Sequence, residues 1–273
     1  MGNLKDIYFR DLNKIYRASQ LILDTYGVQM QGASEQVQIW LIHKVKHTFQ
    51  VSHEIMNILY HEKKIYDSFS NEDKELTELC AILHDLGRFY QHQKGQKILP
   101  SSVFEHGAVA VSLLKDNPDF NNPILLFAVA EHNKYQIDYQ NPLYTKLNDQ
   151  DKKKAEIMAK LLRDADKLDN IRHTIYTGYH YLDNNYPKGP LSEGIKADLK
   201  EHKPCKINDI FTASDRLATY LAWVNDIYFD YTKSVICDLG FVAFCMHEMQ
   251  NFGATDDDVA FLNKYLTLTV AEN

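Results

Sequence analysis

The stretch Cys80 to Tyr90, Cys-Ala-Ile-Leu-His-Asp-Leu-Gly-Arg-Phe-Tyr, ends an apolar helical run in a His-Asp pair followed at once by Gly and Arg. A helix that delivers His84 and Asp85 at its C-terminal end can place an imidazole and a carboxylate on one metal ion. A His-Asp dipeptide arises about once by chance in a chain with this many of each residue, so its surroundings must carry the argument. Taken in order, the candidate ligands are His47, His84, Asp85, His106, His132 and Asp166. Each falls on, or at the end of, a separate predicted helix. The gaps are wide, so tertiary packing would have to assemble the site. Imidazole and carboxylate together suit iron, manganese or zinc better than calcium or magnesium.

The elements that must position these side chains are helices. Glycine (11) and proline (7) are scarce in 273 residues, and apolar positions recur at helical rather than strand spacing, which predicts an all-α fold. Segments are predicted at about 4–26, 34–46 and 47–60, with Gly27 to Gly32 as a linker. Ser70 and Asp73 have the spacing of a capping box for the His-Asp helix, with Gly87 as its stop. Residues 91–100 read as a polar loop. Ser102 and Glu105 suggest a second capping box opening a helix to about Lys115, and Pro123 suits the first turn of a helix to about Asn133. A strong helix follows over 149–169, then an irregular aromatic stretch to Pro190. Two long helices are predicted at 213–231 and 233–250, and Thr255 and Asp258 cap a short last one. There is no repeat or low-complexity tract. Asn184 to Pro204 is the best boundary candidate, but a single domain over 1–273 is expected, with a core at 34–170 and a helical extension at 190–273.

Composition narrows the function classes. The net charge of −7 argues against a nucleic-acid polymer or an anionic membrane as partner, though a bound metal can reverse the local sign for a small anion. Cys80, Cys205, Cys237 and Cys245 lie far apart and read as buried thiols of a reducing compartment. The first eleven residues lack an apolar signal core, and Asp6 stands where a myristoylation start needs Ser or Thr. The longest apolar run, Ile124 to Ala130, is too short for a bilayer. The expectation is a cytoplasmic protein, compatible with a homo-oligomer.

Residues 47 to 169 resemble the HD-domain superfamily of metal-dependent phosphohydrolases, whose pattern is His … His-Asp … Asp. The matches are His47, His84-Asp85 and Asp166, the last within Arg163-Asp164-Ala165-Asp166-Lys167-Leu168-Asp169. His106 and His132 match the extra ligands of the two-metal subset. The resemblance implies that His47, His84 and Asp166 bind one cation, that His106 and His132 bind another, and that Asp85 bridges them. It further implies two divalent transition metals, iron or manganese ahead of zinc, nickel or cobalt. Hydroxide activated by the two metals would attack a small phosphorylated substrate, such as a nucleotide or a nucleotide-like phosphomonoester or diester.

Arg88 and Lys167 are candidate phosphate contacts, and Asp85 is the central catalytic residue. Lys94, Lys97, Asn133 and Lys134 lie in loops after ligand helices and are weaker candidates. The tyrosines from Tyr135 to Tyr186 can line a nucleobase pocket, although such aromatics are more often core. His43, four residues before His47, has no counterpart in the family pattern. The cyclic-dinucleotide branch carries a Gly-Tyr-Pro signature that this chain lacks. Two rival readings use the same ligands: a mixed-valent di-iron oxygenase of the same superfamily, and a non-catalytic metal- or nucleotide-binding module.

Overall fold

The computed structural model describes residues 12–99, 104–178 and 186–266. The expected helix start before Leu12, the Ser102 half of a capping box, and Tyr179 and Tyr181 lie outside these residues. The described chain is all-α. Its helices are α1 (Leu12–Met30), α2 (Glu35–His61), α3 (Lys63–Ser68), α4 (Asn71–Leu83), α5 (His106–Leu114), α6 (Pro123–Glu131), α7 (Pro142–Thr145), α8 (Asp149–Thr177), α9 (Glu193–Lys200), α10 (Ala213–Leu221), α11 (Asp230–Asp238), α12 (Phe241–Asn251) and α13 (Asp256–Tyr265). Among the described residues the only strands are β1 (His92–Gln93) and β2 (Lys97–Ile98), a small antiparallel hairpin inside the expected polar loop. No described helix is long and apolar enough to cross a membrane.

The chain divides into two compact units, Met1–Asp166 and Lys167–Asn273. The division falls inside α8, upstream of the Asn184–Pro204 break. In the first unit, the two segments expected at 34–46 and 47–60 are one helix. Val37, Leu41, Lys44, Thr48, Val51, Ile55 and Ile58 form a buried stripe at helical spacing along α2, and no Gly or Pro interrupts it. Ser34 caps its start by accepting from the Val37 amide. Helix α1 likewise runs through Gly27 to Met30, so the expected linker is only a short turn.

The Ser70–Asp73 capping box is present at the head of α4. Lys154 of α8 donates to the Asp73 carboxylate at 2.7 Å. Burial works to raise the Asp73 carboxyl, and the bonds from Lys154 and Ser70 outweigh it and hold it below its ordinary value. Helix α5 opens directly at His106, with Glu105 flanking it. Asn122 caps α6, with Pro123 in its first turn. Ile124 to Val129 are all buried, as expected of a helix that is apolar all round.

The second unit packs Leu191, Ile195, Leu217, Leu221, Phe241, Met249 and Leu262 into its core. Helix α9 was not anticipated. The helix expected at 213–231 stops at Leu221, and the one expected at 233–250 breaks at Gly240, whose φ of +62° is the left-handed conformation that glycine tolerates. The Thr255–Asp258 capping box is present. None of the four cysteines forms a disulfide. Cys80 and Cys245 are buried, but Cys205 is only half-buried and Cys237 is exposed.

Candidate metal centre

Five helices of the first unit deliver the six candidate ligands to one place. His47 projects from the middle of α2, and His84 and Asp85 follow directly on α4. His106 opens α5, His132 follows α6, and Asp166 lies on α8. Helix α6 is centrally buried, so its C-terminal end brings His132 into the interior. His47, His84 and Asp166 form one group with ligand atoms within 4.8 Å of one another, and His84, Asp85 and His132 form a second. His106 Nε2 lies 3.0 Å from His132 Nε2.

Asp85 organises the cluster through its two oxygens. Its Oδ2 faces His47 Nε2 and His84 Nε2, each at 3.6 Å. Its Oδ1 faces His106 Nε2 at 3.4 Å and His132 Nε2 at 3.7 Å. His47 Nε2 also lies 3.0 Å from Asp166 Oδ1. One carboxylate thus divides four imidazoles into two pairs.

Two of the four imidazoles are held in the tautomer that suits a metal. His84 Nδ1 donates to the Ala81 carbonyl at 2.6 Å, and His132 Nδ1 donates to Val129 at 2.7 Å. Each Nε2 lone pair is left pointing inward. The buried His84 Nε2 makes no hydrogen bond. Burial pushes His84 down to about 4 and His106 down to about 2, so both are neutral at neutral pH. Burial works to raise Asp85, but the Lys44 ammonium foremost, with His84, the hydrogen bond with His132 and Arg88 after it, holds it well below the usual carboxylate range. Asp166 is also lowered: burial opposes ionisation and the hydrogen bond with His47 outweighs it. Neutral His84 and His106 beside ionised Asp85 and Asp166 fit a divalent transition metal.

A family model described as HD domain matches residues 45–171. Residues 45–171 are an HD domain. No curated protein and no solved structure matches the chain. HD domains are commonly metal-dependent hydrolases, and the match contains all six of the residues gathered here.

The HD domain also contains partners that the sequence did not reveal. Lys44, one turn before His47 on α2, is buried and holds Asp85 Oδ2 at 3.0 Å. Arg163, one turn before Asp166 on α8, is buried and donates Nη1 to the carbonyls of Glu131, His132 and Lys134. Glu131, directly before His132, is a third such residue. Its buried carboxylate accepts from Lys134 Nζ, the Asp138 amide and Asn141 Nδ2, and so folds the loop after His132. Lys134, a candidate substrate contact, is engaged in that network. Asn133, another, lies with Nδ2 3.3 Å from His106 Nδ1, while its buried Oδ1 has no hydrogen bond. Turning this amide over pairs Oδ1 with the His106 Nδ1–H and frees the His106 Nε2 lone pair toward Asp85.

Arg88 faces Asp85 Oδ1 through Nε at 3.5 Å and donates to Gln91 Oε1. Lys167, the other candidate phosphate contact, pairs with Asp226 at 2.7 Å. His43 stacks on His47, with ring centroids 6.1 Å apart. Lys94 and Gly95 form the tip of the hairpin, both at positive φ.

Gly87 serves a different purpose from the helix stop expected of it. Helix α4 has already ended at Leu83, and Gly87 lies in a 3-10 turn spanning Leu86–Tyr90. A Cβ here would come within 2.1 Å of the His106 carbonyl oxygen, so glycine permits the backbone contact that seats α5 against the His-Asp turn. Gly87→Ala is expected to cost about 1–3 kcal/mol of stability through overpacking. Denaturant unfolding checks this, and a wild-type midpoint would refute it.

Proposed function

We propose that this HD domain is a two-cation phosphohydrolase acting on a small phosphate ester, such as a nucleotide or a nucleotide-like phosphomonoester or diester. The observation that carries the reading is the division of four imidazoles between the two oxygens of Asp85. His47, His84 and Asp166 are assigned to one cation and His106 and His132 to the other, with Asp85 between them. Iron or manganese suits the donors best, with zinc, nickel and cobalt as alternatives.

Two divalent cations held there would supply the Lewis acidity to acidify a water molecule and offset charge on the phosphoryl oxygens. The protein's own contribution is placement and exclusion of water. His47, His84, Asp85, His106 and His132 have side chains at most 3% exposed, whereas Arg88 and Asp166 are 20% and 23% exposed. Substrate therefore enters past Arg88 and Asp166. Arg88 is the better assignment for a phosphate contact, since it stands beside Asp85 on that open side. Lys167 would first have to leave Asp226.

The test is to strip the full chain of metal, reload it with Mn²⁺ or Fe²⁺, and screen phosphomonoesters, phosphodiesters and nucleotides for phosphate release. Release that depends on metal is expected. Iron-dependent oxygen uptake without phosphate release would overturn the proposal in favour of an oxygenase. No turnover with Mn²⁺, Fe²⁺, Co²⁺, Ni²⁺ or Zn²⁺ would leave a binding module.

A further inference from the structure

Lys44 lies 3.0 Å from Asp85 Oδ2, the oxygen shared with His47 and His84, and we propose that it is a built-in competitor for the first cation that sets how tightly the site holds metal. The inference rests on reading the cluster as a metal site. The Lys44 and Asp85 side chains are 11% and 3% exposed, so their attraction is poorly screened. Arg88 occupies the equivalent place on Oδ1, at 3.5 Å. Asp85 thus has a protein cation against each of its two oxygens. A buried Asp85 paired in this way is stable where an uncompensated one is not.

A divalent ion at Oδ2 approaches the same oxygen as the ammonium and is repelled by it. Metal entry must displace Lys44 from Asp85 or bear that repulsion. Either way, the positive charge at position 44 weakens metal binding. The opposite role, in which Lys44 mainly holds Asp85 in position for the metal, predicts the opposite sign.

The experiment measures Mn²⁺ affinity of the full-length, metal-stripped chain by chelator competition, comparing wild type with Lys44→Gln and Lys44→Arg. Glutamine keeps a hydrogen bond to Asp85 and removes the charge; arginine keeps the charge. Lys44→Gln is expected to bind its first Mn²⁺ about tenfold more tightly or better, within the range of outer-shell changes at metal sites. Lys44→Arg is expected to stay near wild type. Equal or weaker binding by Lys44→Gln overturns the inference while leaving the metal site intact. A wild type that binds no Mn²⁺, Fe²⁺ or Zn²⁺ overturns the underlying reading instead. Should Lys44→Gln fail to fold, Arg88→Gln on the more open side tests the same competition for the second ion, again with tighter binding expected and equal or weaker binding contrary to it.

Discussion

Asp85→Asn is expected to lower metal-dependent turnover by about a thousandfold or more and to reduce bound metal below two ions per chain. Each oxygen of Asp85 faces a different pair of imidazoles, so no other side chain in the cluster can serve both halves. Lewis-acid stabilisation is worth several kcal/mol, and each ~1.4 kcal/mol is a factor of ten in rate. Asparagine is the better probe than alanine, because it keeps the volume and one of the two acceptor oxygens, which face Lys44 and Arg88 on opposite sides. Metal analysis beside a phosphate-release assay checks both parts. Two ions per chain with normal turnover would remove Asp85 from the centre of the site.

What was legible in the sequence was local. The Ser70–Asp73 box, Pro123 in the first turn of α6 and the Thr255–Asp258 box each act over three or four residues, and each is present. The order of the candidate ligands was readable for the same reason: each sits on or beside one of five helices. The failures share a cause. Lys44 meets Asp85 across 41 residues, and Arg163 meets Glu131 across 32, so neither partner is marked by its neighbours in sequence. Glycine gave an ambiguous signal. At Gly240 it takes the left-handed conformation that breaks a helix, and at Gly87 it permits a close backbone contact. The same letter meets two physical needs, and only packing tells them apart. The uninterrupted α2 was missed because the sequence reading split it just before His47.

Arg163 is the residue beyond the ligands whose loss is expected to matter most. It lies one turn from Asp166 on α8, yet its Nη1 donates to Glu131 at 2.8 Å, His132 at 3.2 Å and Lys134 at 2.7 Å. These carbonyls lie at and just beyond the C-terminal end of α6, where backbone acceptors lack helical partners and the helix dipole favours a cation. One buried guanidinium therefore fixes the backbone that carries His132 to the helix that carries Asp166. Arg163→Met leaves that backbone without its donor. At about 1–3 kcal/mol for each buried acceptor left unpaired, a loss of about 3 kcal/mol or more is expected in denaturant unfolding. Arg163→Lys keeps the charge but cannot reproduce the planar fork, so it is expected to fold and to bind its second Mn²⁺ about 10–100-fold more weakly, with the first ion retained. Loss of stability alone would show only that Arg163 supports the fold. Selective weakening of one of two ions in a folded variant is the outcome specific to positioning His132, and equal affinity for both ions in Arg163→Lys would rule that role out.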